Sequence, residues 1–164
     1  MFVGTYELTI DAKNRISIPF AVRTKLSPER QGRSFYVAPG RRLGTLALYP
    51  DLQFEKSREP LVDTDRLSDE GLAQQQFEYS QAWLLDPDDQ GRVLIPARLM
   101  KRTGIEREVV MIGVRDHLEL WSKAEFEKFE DAGWKNYPAQ RARTAEELKI
   151  ARDQAPTGAA GGAN

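Results

Sequence analysis

One stretch of this chain occurs twice, and that repetition limits the possible folds more than any other feature. Tyr6-Glu7-Leu8-Thr9-Ile10-Asp11-Ala12-Lys13-Asn14-Arg15-Ile16-Ser17-Ile18-Pro19 aligns with Trp83-Leu84-Leu85-Asp86-Pro87-Asp88-Asp89-Gln90-Gly91-Arg92-Val93-Leu94-Ile95-Pro96 at a constant offset of 77. The match resumes downstream at an offset of 72, where Leu48-Tyr49-Pro50 meets Leu120-Trp121-Ser122 and Phe54-Glu55-Lys56 meets Phe126-Glu127-Lys128. The five-residue difference falls in the connection that carries Arg41-Arg42-Leu43-Gly44-Thr45, as a loop insertion would.

Each copy has the same local grammar. Tyr6, Leu8 and Ile10 alternate with polar residues, and Ile16 and Ile18 continue in short-strand style. Between them lies a turn-rich tetrapeptide, Asp-Ala-Lys-Asn in the first copy and Asp-Asp-Gln-Gly in the second. Asn14 and Gly91 take the same position in it, and these are the residue types that best tolerate a left-handed backbone. Each copy therefore predicts a β-hairpin closed by an Asp and an Arg four positions apart. Pro19 and Pro96 suit the first turn of a helix, predicted over 20–26 and over 97–102 with Gly104 as its stop. A second strand pair follows in each copy, 34–38 with 45–49 and 109–114 with 117–121, and then a helix over 51–58 and over 122–130. The fold class is α+β, a ββαββα unit used twice. A helix over 61–80 bridges the copies. Residues 140–154 carry a charged surface helix, and 155–164 (APTGAAGGAN) form a flexible tail.

Composition excludes whole classes of chemistry. The 164 residues include no cysteine and one histidine, His117, which removes disulfides, thiolate nucleophiles and Cys-based zinc sites. His117 falls at a turn, where an exposed ring is expected. No Gly-rich phosphate loop, metal cluster or nucleophile motif occurs, so neither catalysis nor a cofactor nor a small-molecule substrate is expected. The first residues lack a basic segment followed by an apolar run, and no window approaches the roughly 18 apolar residues of a membrane span. A cytoplasmic protein without membrane contact is the expectation.

Net charge is −1, from 24 Lys and Arg against 25 Asp and Glu, but the charges are segregated. Residues 11–42 hold eight basic side chains and two acidic ones, whereas 51–80 hold eight acids and three bases. A basic stretch that coincides with the repeated loop suits a protein gripping a polyanion on one side. Asp11 and Asp88 fix loop shape, together with Asn14 and Gly91. Arg15 and Arg92, oriented by those carboxylates, keep donors free, and arginine is the side chain that reads guanine N7 and O6 in the major groove. Lys13, at the loop tip, reaches phosphate or a base edge. A two-stranded ribbon is narrow enough to enter that groove. Two loops cover few base pairs, so useful affinity needs several copies, which a closed head-to-tail ring supplies.

The doubled Asp-x-x-x-Arg-x-x-Ile-Pro pattern, with Asp11-Ala12-Lys13-Asn14-Arg15 and Ile18-Pro19 in the first copy behind Met1-Phe2-Val3-Gly4-Thr5-Tyr6, resembles the MraZ family of bacterial transcriptional regulators, of the SpoVT/AbrB-like fold. The resemblance covers about residues 1 to 130. It implies a β-barrel-like core from two pseudo-equivalent halves, with repeats at 5–51 and 82–125, a linking helical segment at 52–81 and a C-terminal helix and tail at 126–164. It implies ring-shaped homo-oligomers, binding to tandem short boxes of double-stranded DNA upstream of the protein's own division and cell-wall operon, repression and association with the nucleoid. By position it makes Lys13, Arg15 and Arg92 DNA contacts, with Gln90, aligned to Lys13, a weaker one. Two departures stand out: Asn14 replaces the family's frequent Gly, and Asp89 adds a carboxylate that would repel phosphate at the second loop. Trp134 and Tyr137 pack either on a neighbouring subunit or on their own chain. The rival readings are an enzyme using Asp88 and Asp89, and a protein-interaction ring or antitoxin-like module that binds no DNA.

Overall fold

The computed structural model describes residues 1–58 and 67–153, and the chain divides into two units, Met1–Phe126 and Glu127–Asn164. The strands of the first unit pair differently from the local expectation. β1 (Thr5–Thr9) does not turn back onto β2 (Arg15–Ser17) but lies antiparallel to β7 (Glu108–Val114), with Thr5 opposite Ile112 and Thr9 opposite Glu108. β2 pairs with β6 (Arg92–Leu94) and forms a separate two-stranded ribbon. β5 (Trp83–Leu85) lies on β3 (Phe35–Pro39). The two expected hairpins are thus tight connections between strands of different sheets.

Backbone satisfaction explains the correction. The Ile10 N–H donates to the Arg107 carbonyl at 2.9 Å, the Ile18 N–H to the Gly91 carbonyl at 2.9 Å and the Ile95 N–H to the Asn14 carbonyl at 2.8 Å. Each loop keeps one local closing bond, from the Asp11 N–H to the Arg15 carbonyl and from the Asp88 N–H to the Arg92 carbonyl, both at 2.9 Å. Beyond it these flanking groups are bonded to the opposite half, so the local hairpin ladder does not continue.

The second strand pairs form as expected. β3 pairs with β4 (Leu46–Pro50), and β7 with β8 (His117–Ser122). β4 and β8 then join the two pairs, with Ala47 opposite Glu119. The sheet order is β1-β7-β8-β4-β3-β5. Exchanging β1 with β5, β3 with β7 and β4 with β8 maps that order onto itself. The expected barrel-like core is instead an open antiparallel sheet with the β2–β6 ribbon beside it. Among the described residues β1 and β5 each have a partner on one side only, and no ladder joins ribbon to sheet.

Pro19 and Pro96 cap α1 (Phe20–Arg23) and α5 (Ala97–Thr103), which bury Val22 and Leu99. Gly104, at φ 68°, ends α5 in the left-handed conformation that glycine adopts without strain. One turn, α2 (Pro28–Gln31), was not expected, whereas α3 (Asp51–Arg58) was. α4 (Asp69–Ser80) starts where the Ser68 hydroxyl accepts the Gly71 N–H at 3.2 Å. The earlier part of the helix expected over 61–80 lies outside the described residues, as does the tail 155–164. α6 (Lys123–Asp153) is one helix where two were expected. Pro138 lies inside it, where a proline removes one backbone donor. In the second unit Trp134 and Tyr137 are both exposed and tilt against each other, 6.0 Å between ring centroids.

The core of the first unit draws on both halves in register: Ile16 with Val93, Ile18 with Ile95, Val22 with Leu99, and Leu48 with Leu120 are all buried. Burial of side chains of this size stabilises by about 1.5–3 kcal/mol each.

Candidate nucleic-acid interface

The ribbon and its two loops carry every side chain that the sequence singles out for nucleic acid. Ile16 and Val93 point into the core at 1% and 0% exposure. Strand alternation then turns Arg15, Ser17, Arg92 and Leu94 to the opposite, outer face. Arg15 stands opposite Leu94, and Ser17 opposite Arg92.

The two loops have the same hydrogen-bond plan. In the first, Asp11 Oδ1 accepts the backbone N–H of Lys13 at 2.8 Å and of Arg15 at 2.9 Å. Its Oδ2 accepts the Arg15 side chain, from Nε at 2.8 Å and from Nη2 at 2.7 Å. In the second, Asp88 Oδ1 accepts the N–H of Gln90 at 3.0 Å and of Arg92 at 2.9 Å, and its Oδ2 holds Arg92 Nε at 2.8 Å and Nη2 at 2.7 Å. The fourth loop residue takes a positive φ in both, 59° at Asn14 and 74° at Gly91.

Electrostatics follows the geometry. The Arg15 guanidinium, aided by the Arg15 and Lys13 backbone N–H groups, holds the Asp11 carboxyl down to about 2. Arg92 lowers Asp88 in the same way. Both carboxylates therefore stay charged at neutral pH, and each arginine keeps Nη1 without a protein partner among the described residues. A guanidinium fixed on one edge and open on the other has already lost its rotamer freedom, so engaging a planar acceptor pair costs little further entropy.

A sequence model of the family described as "MraZ protein, putative antitoxin-like" matches residues 79–148. A Clostridium tetani protein named Transcriptional regulator MraZ is 36% identical over 132 residues, covering 80% of this chain and 89% of that one. The chain belongs to the MraZ family. A Neisseria gonorrhoeae relative of the same name is 36% identical over 128 residues, 77% of this chain and 83% of its own. One from Heliobacterium modesticaldum is 31% identical over 137 residues, 84% of this chain and 92% of its own.

In this MraZ-family chain all eight sequence-selected residues gather at the two loops: Lys13, Arg15, Gln90 and Arg92 with Asp11, Asn14, Asp88 and Gly91. Lys13, Asp89 and Gln90 are exposed. Sequence reasoning missed Arg23. Its Nε donates to the Ile18 carbonyl at 3.1 Å, and its guanidinium lies 5.6 Å from the Phe20 ring centroid. It is laid so closely over Gly91 that a β-carbon there would come within 2.7 Å of its Cδ and Nε. The only sequence signal was the bare glycine at 91 where the first loop has Asn14. Arg23 and Arg33 line a cavity of about 260 Å³ together with Asp88 and Asp89.

The other basic residues of the 11–42 stretch have further surroundings. Arg42 lies over Trp121 at 5.9 Å, and Arg41 lines a cavity of about 570 Å³ with Tyr49, Phe54 and Arg58. His117 is not the exposed turn residue expected. Its side chain is 13% exposed, its ring stacks on Tyr49 at 4.7 Å, and its nitrogens meet Asp116 at 2.9 Å and Glu119 at 3.5 Å. β7 and β8 turn over Arg115 and Asp116, so His117 already lies on the sheet. No helix among the described residues is long and apolar enough to cross a membrane.

Proposed function

We propose that this protein is a transcriptional regulator that binds double-stranded DNA sequence-specifically through the outer face of the β2–β6 ribbon. Arg15 and Arg92 read guanine edges in the major groove, Lys13 contacts phosphate or a base edge, and Gln90 contributes more weakly. Asp11, Asn14, Asp88 and Gly91 hold the loops in shape. The observation that carries the reading is the same pre-oriented guanidinium built twice, on Asp11 and on Asp88, on one ribbon. Arginine bidentate to guanine O6 and N7 is worth about 1–3 kcal/mol of base discrimination. The relatives' shared name supports the regulatory role.

The finer parts of the reading follow. Segments 5–51 and 82–125 are SpoVT/AbrB-like repeats of one ancestral unit, joined by 52–81 and followed by a helix and tail at 126–164. The exchange symmetry of the sheet order supports that origin. Two loops per chain make a small footprint, so a ring-shaped homo-oligomer presents them to tandem boxes, and occupancy upstream of the protein's own operon represses it from the nucleoid. Asp89 makes the second loop the weaker one.

Fluorescence anisotropy with the duplex upstream of the protein's own gene, against a scrambled duplex, tests this. Wild type should prefer the native duplex, Arg15→Ala should erase the preference, and Arg92→Ala should reduce it less. Equal binding of both duplexes by wild type and both variants would overturn the reading and leave a protein-interaction ring or antitoxin-like module.

A further inference from the structure

Leu94 is the anomaly of the ribbon's outer face. That face consists of Arg15, Ser17, Arg92 and Leu94, and its single apolar member is 57% exposed. At the offset of 77, the residue equivalent to Leu94 in the first copy is Ser17, so a small polar residue satisfies this position structurally. Burial within this chain therefore does not account for the leucine. A protein-docking surface would be expected to extend the apolar area around it, yet its companions on the face are two carboxylate-held arginines and a serine.

The proposed DNA seat offers one apolar partner at this location. In the major groove the apolar group presented by the bases is the thymine 5-methyl, which side chains read by packing. Directly opposed residues of an antiparallel pair hold their β-carbons about 4.5–5.5 Å apart. Leu94 lies directly opposite Arg15, so a ribbon that seats Arg15 on one base brings Leu94 to a neighbouring one, base steps being roughly 3.4 Å along a strand.

We infer that Leu94 packs on the 5-methyl group of a thymine next to the base read by Arg15, which makes it a specificity-determining residue of the second half. The inference rests on the DNA-reading function proposed above.

Anisotropy with the upstream duplex in two forms, one with thymine and one with every thymine replaced by uracil, isolates the methyl group. Wild type should bind the uracil form about three- to fivefold more weakly, the scale of one buried methyl. Leu94→Ser should bind the thymine form more weakly by the same factor and be indifferent to the exchange. The fold should hold, because the side chain is exposed and the equivalent residue of the first copy is already serine; thermal unfolding checks that. If wild type does not prefer the upstream duplex to a scrambled one, the DNA-reading function falls and this inference with it. If wild type keeps that preference but ignores the exchange, or Leu94→Ser remains as sensitive as wild type, the inference alone fails. It fails likewise if Leu94→Ser changes the assembly mass in sedimentation, which would put Leu94 in a protein contact.

Discussion

Replacing Gly91 by alanine should destabilise the protein through two separable effects. Gly91 has φ +74°, and an L-residue with a β-carbon loses about 1–2 kcal/mol in the left-handed region. The new methyl would also stand 2.7 Å from Arg23 Cδ and Nε and 2.8 Å from Cζ, so the guanidinium must leave. Its departure gives up the Nε bond to the Ile18 carbonyl, worth about 0.5–1.5 kcal/mol. The sum is about 1.5–3.5 kcal/mol, or a fall in Tm of roughly 3–14 °C for a chain of this size. Urea denaturation of wild type, Gly91→Ala, Arg23→Ala and the double variant separates the parts. Once Arg23 is gone, Gly91→Ala should cost about 1 kcal/mol less, a coupling that independent sites do not show. Gly91→Asn should keep the collision but lose most of the backbone strain, since Asn14 already holds φ 59°. Strict additivity of the two substitutions, or a Gly91→Ala cost below about 0.5 kcal/mol, would refute the reasoning.

Further expectations concern the charges and the ribbon core. Carboxyl-detected NMR should find Asp11 titrating near 2, and Arg15→Gln should return it toward 3.8, because the arginine side chain is the largest cause of the depression. The hydrogen bond to Glu119 raises His117 above 6.5, with Asp116 adding to it. A raised histidine stabilises the fold below its unfolded value and loses that contribution as pH rises through the folded one. Tm should therefore decline as pH is taken above 6.5, and His117→Gln should flatten that decline in differential scanning calorimetry. Ile16→Ala removes a side chain 1% exposed beneath the ribbon and should cost about 2–4 kcal/mol by chemical denaturation. A loss below about 1 kcal/mol would show that the ribbon is not packed as described.

Alternation and punctuation were enough to find the strands and most helices: Tyr6 and Leu8, the prolines at 19 and 96, and Gly104 all mark real boundaries. Partners were another matter. Period-two alternation says that a segment is a strand and is silent on its neighbour, and an Asp-to-Arg loop with an αL residue looks like a hairpin whichever way its arms go. Only the bonds from Ile18 to Gly91 and from Ile95 to Asn14 reveal the crossing. The Asp and Arg of each loop were legible because the side-chain bonds that join them, Asp11 to Arg15 and Asp88 to Arg92, span four positions. Arg23 was not, since it meets Gly91 from 68 residues away in sequence. His117 was misjudged for a related reason: its shelter comes from Tyr49, across the β4–β8 seam.

The crossing has a consequence for how the chain comes into being. β1 and β2 emerge early in synthesis, but the strands that complete them, β7 and β6, lie about a hundred and about eighty residues later. Until the second half leaves the ribosome, the first has an unpaired β2, an incomplete sheet and an Ile16 without Val93 opposite it. Folding must wait for the late chain, and closing such long loops makes it slow relative to a protein of local contacts. A chain cut short before Gly91 lacks both β6, the strand that β2 pairs with, and the Gly91 carbonyl that accepts the Ile18 N–H in this fold.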